Sequence, residues 1–591
     1  MNYADSVVGW LAELGYTHCF FVAGGNIMHL LNSARKQMTC VAFVHEVAAG
    51  IAAEYFNEAA APGRAFVMVT AGPGLTNLVT AFAGAFLESR ELLVLGGQVK
   101  STDLATNGLR QRGIQEVDGV SIVRPVTVCA ERLEAPMDRG EFVKRVMSGR
   151  VGRPGPVFLE MCLDVQGRPV SGEGATSQVE PASATGAPDM SGAAVERLCD
   201  ELRRAERPVL LIGGGVSRET AARVLPDLRR LGVPVMTTWN GADRIPASER
   251  MYFGRPNTWG MRYSNVLIQQ ADLIVALGTR LGLQQTGFNW KEFGRRATVA
   301  QVDLDERELA KGHPRVDIPI AGDANPILRA LLRQPLRDFS DWLDHATEVK
   351  ALLPVDEAVN QHRSGYLSPF GFMLSLSDLC RSTDCFCPSS SGGAETVAMQ
   401  VFEQKEGQIV VGDKGLASMG YGLSGAIGLA LGHPGRRTVL TEGDGGFSQN
   451  LQELATVAVN DLNLKIFLMC NEGYASIRMT QRNYFEGNYV GCDVNSGLGF
   501  PDWSLLFGAY GVPCLELAEG FEDDAAFGEA FDRPGPAAFI VPVDPEQTYY
   551  PKIGSRVTAE GSMESRPLHL MDPPLPDEIA ARVFVFLEDR P

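Results

Sequence analysis

The clearest chemistry in the chain sits in Glu442-Gly443-Asp444-Gly445-Gly446 and in a later turn, Asn471-Glu472-Gly473. Asp444 brings a carboxylate, Asn471 an amide oxygen and Gly473 a turn carbonyl, a three-oxygen set suited to a hard cation. Mg²⁺ held by so few protein oxygens typically completes its octahedron with phosphate and water. Gly443, Gly445 and Gly446 let backbone N–H groups come close to a phosphate. Either turn alone is ordinary after a strand; the pair, with the 25 residues 446–470 between, is far more specific. A further carboxyl, Glu46, follows the apolar run Val41-Ala42-Phe43-Val44 and opens a helical pattern, where it is at least a favourable N-terminal charge.

These residues need elements to position them. Residues 437–441 read as a strand, Leu451, Leu454 and Val457 recur at helical spacing, and 464–470 read as a second strand. A right-handed crossover in such a βαβ unit puts Asp444 and Asn471 at the carboxyl ends of parallel strands, on one sheet edge. The same alternation runs through the chain. In residues 1–165 a first helix carries Val7, Leu11 and Leu14 on one face, and apolar runs follow at 18–22, 40–44, 65–70 and 92–95. Residues 166–193 are rich in Gly, Ser, Pro, Ala and Thr and read as a linker. A second block, 194–335, holds strands near 207–212, 233–237, 272–277 and 298–304. A helical connector, 336–365, leads to a third block, 366–548, and a proline-punctuated tail, 549–591, is expected to wrap over another domain. The fold class is therefore α/β, with three doubly wound parallel-sheet domains.

Composition narrows the function classes. The formal net charge of −18 repels phosphate backbones, which argues against nucleic acid as a partner. No apolar stretch is long enough to span a bilayer, and no basic leader precedes the first helix. The eleven cysteines lack metal-site spacing and read as reduced thiols, so a cytoplasmic protein is expected.

On these residues the sequence resembles the thiamine-diphosphate enzyme family, whose signature is Gly-Asp-Gly followed at a distance by Asn-Asn. The resemblance implies thiamine diphosphate and Mg²⁺ as cofactors, with Asp444, Asn471 and Gly473 as metal ligands. Gly443, Gly445, Gly446 and Tyr474 would then contact the diphosphate, and the three blocks would be pyrimidine-binding, central and diphosphate-binding domains. Cys470 stands at the first Asn of the signature; the family's ligand is the second, so the change is tolerated. Glu46 would be the carboxyl that hydrogen-bonds N1′ of the aminopyrimidine and so activates thiazolium C2. In this family that carboxyl meets the diphosphate across a subunit interface, which implies a homodimer or a homotetramer.

Further segments resemble the acetohydroxyacid (acetolactate) synthase branch: Ala71-Gly72-Pro73-Gly74-Leu75-Thr76-Asn77, Gly97-Gln98-Val99, Gln115-Glu116 and Lys414-Gly415-Leu416-Ala417-Ser418-Met419-Gly420. The resemblance gives Gly25, Pro73 and Asn77 cofactor contacts, joins Gln98 and Gln115 to Glu46 as catalytic-pocket residues, and makes Met419 the prop that bends the cofactor. Gly214, Arg280 and Asp303 are similar to the flavin-binding positions of that branch, leaving bound FAD and a structural remnant both open. Two departures bear on substrate. The branch carries a Trp where this chain has Thr480, and the 110–119 loop looks more like a subgroup tied to polysaccharide and unusual-sugar pathways. The reading is a carboligase taking a 2-keto acid (pyruvate) and a carbonyl acceptor such as a keto-sugar. The alternatives are acetolactate synthesis from two pyruvates and decarboxylation to an aldehyde. The last commonly uses adjacent histidines, which this sequence lacks. An oxidoreductase argued from 213–215 alone leaves Asp444 and Asn471 unexplained.

Overall fold

The apolar runs form strands of three parallel sheets in the computed structural model, whose described residues are 1–170, 192–334, 337–557 and 563–587. The first contains β1 (Tyr16–Phe21), β2 (Thr39–Ala42), β3 (Arg64–Val69), β4 (Leu92–Gln98), β5 (Cys129–Leu133) and β6 (Pro156–Cys162). Their order is β2-β1-β3-β4-β6-β5. The second contains β7 (Pro208–Ile212), β8 (Val235–Thr237), β9 (Leu273–Leu277), β10 (Thr298–Asp303) and β11 (Ile318–Ala321), in the order β11-β10-β9-β7-β8. The third contains β12 (Cys385–Cys387), β13 (Ile409–Val410), β14 (Thr438–Gly443), β15 (Leu464–Cys470), β16 (Cys514–Glu516) and β17 (Ala537–Pro542). Its order, β13-β12-β14-β15-β17-β16, repeats that of the first sheet. All three share the second-first-third-fourth core order, and the expectation of three doubly wound α/β domains is met. Central strands such as β4 are buried along their whole length, which is why residues 92–95 read as an apolar run.

The first and third domains share one core, in which Phe20, Val41 and Ile51 join Tyr421, Ile427 and Leu440. There the Glu46–Glu58 helix crosses the Tyr421–Gly432 helix at glycine positions. A Cβ on Gly428 would lie 2.1 Å from the Ala52 carbonyl oxygen, so no larger residue permits this approach. The second domain has its own core. The Ser340–Leu352 helix adds Trp342, Ala346 and Val349 to it, and the tail adds Leu568, Val583 and Phe584. Arg262, almost fully buried, fixes the tail by donating to the Pro573 carbonyl (2.9 Å) while pairing with Glu357 (2.6 Å). Of the 166–193 linker, residues 171–191 lie outside the described residues. Among the described residues no helix is long and apolar enough to cross a membrane, and all eleven cysteines are free.

Candidate functional site

β14 and β15 are parallel neighbours with Gly443 opposite Met469, so Asp444 and Asn471 leave the same edge of the third sheet. The Asp444 carboxylate accepts from the Gly445 N–H (2.8 Å) and from the Asn471 N–H (3.1 Å). Burial pushes its pKa up to about 7, against the pull of these backbone donors. Beside it, Asn471 Oδ1 is buried with no hydrogen-bond partner. A buried carboxyl next to an orphaned amide oxygen is a polarity that a cation relieves, and oxygen donors suit Mg²⁺. Gly473 completes the turn at φ +150°, where a Cβ would lie 2.0 Å from the Cys492 carbonyl oxygen. Only glycine fits there, and its carbonyl, which accepts from the Ala475 N–H (3.1 Å), keeps a second lone pair for a cation. A Cβ on Gly445 would strike the Tyr474 ring at 2.4 Å, so Tyr474 lies against the glycine loop. These residues fit a metal-held diphosphate. Behind them, Glu442 accepts from the Leu423 N–H (2.9 Å) at the start of the Tyr421–Gly432 helix, and burial pushes its pKa up to about 8. Met419 lies in the preceding turn, whose Gly420 carbonyl is held by Asn450 Nδ2 (2.8 Å).

The first domain gathers a second group. Glu46 is the first residue of its helix, and Asn77 Nδ2 donates to its Oε2 at 3.0 Å. Asn77 is aimed there by the one-turn Pro73–Thr76 helix, with Pro73 at its first position and Gly72 (φ +64°) before it. Gln98 is fully buried and spends both ends of its amide on structure. Its Nε2 donates to the Val117 carbonyl (3.0 Å) and its Oε1 accepts from Val99 N–H (2.9 Å). Gln115 is exposed at φ +64°, and its carbonyl would meet a Cβ on Gly72 at 2.2 Å. Glu116, unlike its neighbours, is buried, and against that burial the Ala105 N–H and the Gly113 and Arg112 N–H groups (2.9 Å each) hold its carboxyl below the usual range and shape the 110–119 loop. Gly25 opens a 3₁₀ turn against the end of β4, where a Cβ on Gly97 would lie 2.2 Å from the Asn26 carbonyl oxygen. Thr480 is exposed on the Ala475–Tyr484 helix and donates back to the Ser476 carbonyl (3.0 Å).

Sequence spacing did not single out the residues that tie these groups together. Arg90 is buried between the first and third domains, donating to Glu54 Oε1 (2.9 Å) and to the Gly412 carbonyl (2.7 Å). Glu88 accepts from the Lys414 N–H (2.8 Å) at the base of the Met419 turn, and from Asn240 of the second domain. Glu453 reaches from the third domain to the turn before Glu46. Glu88 ends its helix, Arg90 lies in the turn before β4 and Glu453 ends a 3₁₀ turn, so no helical periodicity marks them.

In the second domain, Gly214 and Arg280 follow β7 and β9 and Asp303 ends β10, so the three share one edge. The Gly213 and Gly215 N–H groups are spent on the Leu277 and Gly278 carbonyls (2.9 and 3.0 Å). The Gly215 carbonyl is taken by Asn325 Nδ2 (3.1 Å). The glycines on either side of Gly214 are thus held by the domain's own backbone and by Asn325.

Comparison with known proteins agrees with this architecture. Residues 1–122 match the thiamine pyrophosphate enzyme N-terminal TPP binding domain, 195–331 the central domain and 390–541 the C-terminal TPP binding domain. The chain is 30% identical over 566 residues to the acetolactate synthase of Mycobacterium avium, covering 92% of this chain and 87% of that one. It is 28% identical over 562 residues to the acetolactate synthase isozyme 1 large subunit of Escherichia coli K12, covering 93% and 95%. The isozyme 2 large subunit of the same organism is 28% identical over 572 residues, covering 94% and 97%. With its three domains in this order and relatives similar along nearly its whole length, the chain belongs to the thiamine pyrophosphate enzyme family, in its acetolactate synthase-like branch.

Proposed function

We propose that this protein is a thiamine-diphosphate- and Mg²⁺-dependent carboligase. It decarboxylates a 2-keto acid, pyruvate, and transfers the two-carbon acyl unit to a carbonyl acceptor, a keto-sugar or a similarly specialised molecule. The observation that carries the cofactor reading is Asn471 Oδ1, buried without a partner beside Asp444. Asp444, Asn471 and the Gly473 carbonyl hold Mg²⁺; Gly443, Gly445, Gly446 and Tyr474 contact the diphosphate. Thiamine diphosphate, when bound, supplies the carbon nucleophile and the electron sink for decarboxylation. Glu46, oriented by Asn77, manages the proton at N1′. Gly25, Pro73 and Met419 shape the cofactor's seat, and Gln98 acts by fixing the loop that carries Gln115. Glu46 and Asp444 stand on different domains, with no hydrogen bond between them among the described residues. Exposed apolar side chains near each, Val44 and Ile114 on one domain and Ile477 and Phe485 on the other, support a homodimer with shared sites. No step is given to a flavin; the colour of the purified protein tests for one.

A polar residue at Thr480 and the 110–119 loop favour the specialised acceptor. The names of the relatives favour acetolactate synthesis as the second reading. Incubating the protein with Mg²⁺, thiamine diphosphate and pyruvate, with and without a panel of 2-keto acids and keto-sugars, separates them. Pyruvate consumed only with a keto-sugar supports the proposal. Acetolactate formed at full rate from pyruvate alone overturns it in favour of the synthase, and free acetaldehyde points to a decarboxylase.

A further inference from the structure

We propose that Glu453 is a positioning residue that couples the Asp444 segment of the third domain to the Glu46 turn of the first. It is fully buried and ends the 3₁₀ turn Leu451–Glu453 that follows the glycine loop. Its carboxylate leaves its own domain: Oε1 accepts from the His45 N–H (2.9 Å) and Oε2 from the Val44 N–H (3.3 Å). The Thr456 hydroxyl donates to Oε2 (2.6 Å). These two N–H groups lie between the end of β2 and the helix that Glu46 opens, and the N-cap residue His45 makes no side-chain cap of its own.

A carboxylate gripping two consecutive amides fixes the chain direction one residue before Glu46, and with it the direction in which the Glu46 side chain leaves the helix. Proton exchange with a ring nitrogen depends steeply on that placement, since a displacement of about 1 Å can change a rate on the order of 100-fold. The segment on the other side of the link is equally fixed, because Asn450 holds the Gly420 carbonyl beside Met419. One short strut thus joins the diphosphate corner to the activating carboxyl. In a homodimer with shared sites, the carboxyl it steadies serves the opposite site from the corner it grows out of. The inference rests on the reading of Glu46 as the cofactor-activating group.

Three variants of the full-length protein test it. Glu453→Gln turns an NH₂ toward amides that are themselves donors, Glu453→Asp keeps the charge but withdraws it, and Thr456→Val removes only the third donor. Deuterium uptake at the Val44 and His45 amides is read in the cofactor-free protein, and loss of the C2 proton from bound thiamine diphosphate is read by magnetic resonance. Glu453→Gln should speed amide exchange about tenfold or more and slow C2 exchange roughly 10- to 100-fold. Cofactor affinity should stay within about threefold. Glu453→Asp should fall between, and Thr456→Val should match the unaltered protein. C2 exchange unchanged in both Glu453 variants overturns the proposal, whatever happens to thermal stability. Glu46→Gln separates this from failure of the functional reading. If that variant keeps normal C2 exchange, the role of Glu46 falls; if it loses exchange while the Glu453 variants do not, only the coupling falls.

Discussion

Replacing Arg90 with Met would test how the first and third domains are held together. Arg90 donates to Glu54 (2.9 Å) and to the Gly412 carbonyl (2.7 Å), and the Glu54 side chain has no solvent exposure. Glu58 lies 3.9 Å from the guanidinium, and Glu88 and Asp413 also face the cluster. Removing one partner of a buried ion pair typically costs about 3–5 kcal/mol, because the other charge is left unpaired. Burial already pushes the Glu54 pKa up to about 7, with Arg90 opposing that rise. A carboxyl whose folded pKa is raised destabilises the fold as pH climbs from its unfolded value through its folded one. Below the folded pKa, each pH unit lost returns about 1.4 kcal/mol. From pH 8 to pH 6 the unaltered protein recovers this over only the unit below 7. The variant, whose Glu54 pKa must rise further, recovers it over both. Its defect should therefore shrink by about 1.4 kcal/mol between pH 8 and pH 6. Urea denaturation at the two pH values measures this, and adding Glu54→Gln should remove most of the defect and its pH dependence. A defect equal at both pH values, or undiminished in the double variant, would refute the reasoning.

Two further outcomes follow from close approaches. Gly473→Ala places a Cβ 2.0 Å from the Cys492 carbonyl oxygen at φ +150°, so the turn must shift. Calorimetric titration with Mg²⁺ and thiamine diphosphate should show affinity weakened by about tenfold or more, near 1.4 kcal/mol, and undiminished affinity would remove Gly473 from the metal set. Gly428→Val sets side-chain atoms against the Ala52 carbonyl, 2.1 Å from the Cβ position. Overpacking of this kind costs about 1–3 kcal/mol, so thermal unfolding should begin several degrees lower; an unchanged transition would mean that the helices part freely.

Inner strands such as β9 were readable because burial on both faces keeps a strand apolar, and β4 and β15 depart from that only at Gln98 and Lys465. Of the edge strands, β2 and β8 showed as apolar runs but others did not. β5, Cys-Ala-Glu-Arg-Leu, is only half-buried along most of its length, and β11 alternates around a proline, so neither shows as an apolar run. The Asp444–Asn471 pairing was legible because two turns at one spacing imply a βαβ unit. The helix expected around Leu451, Leu454 and Val457 starts as a 3₁₀ turn and becomes α-helical at Leu454, which turns Glu453 out of its own domain. The Glu54–Arg90 pair spans 36 positions and the Glu88 contact with the Lys414 backbone 326, so local patterning pairs neither.

The glycine crossing of the Glu46–Glu58 and Tyr421–Gly432 helices bears on how the chain comes apart. Because Ala52 and Gly428 meet backbone to backbone and the surrounding side chains form one core, the first and third domains make up a single cooperative unit. The second domain, with the Ser340–Leu352 helix and the tail packed on it, makes up another. Hydrogen exchange under mild denaturant should accordingly resolve two opening events rather than three. Amides of β1 and β14 should open together despite the length of chain between them, while those of β9 follow a separate isotherm with the Asp577–Val583 helix.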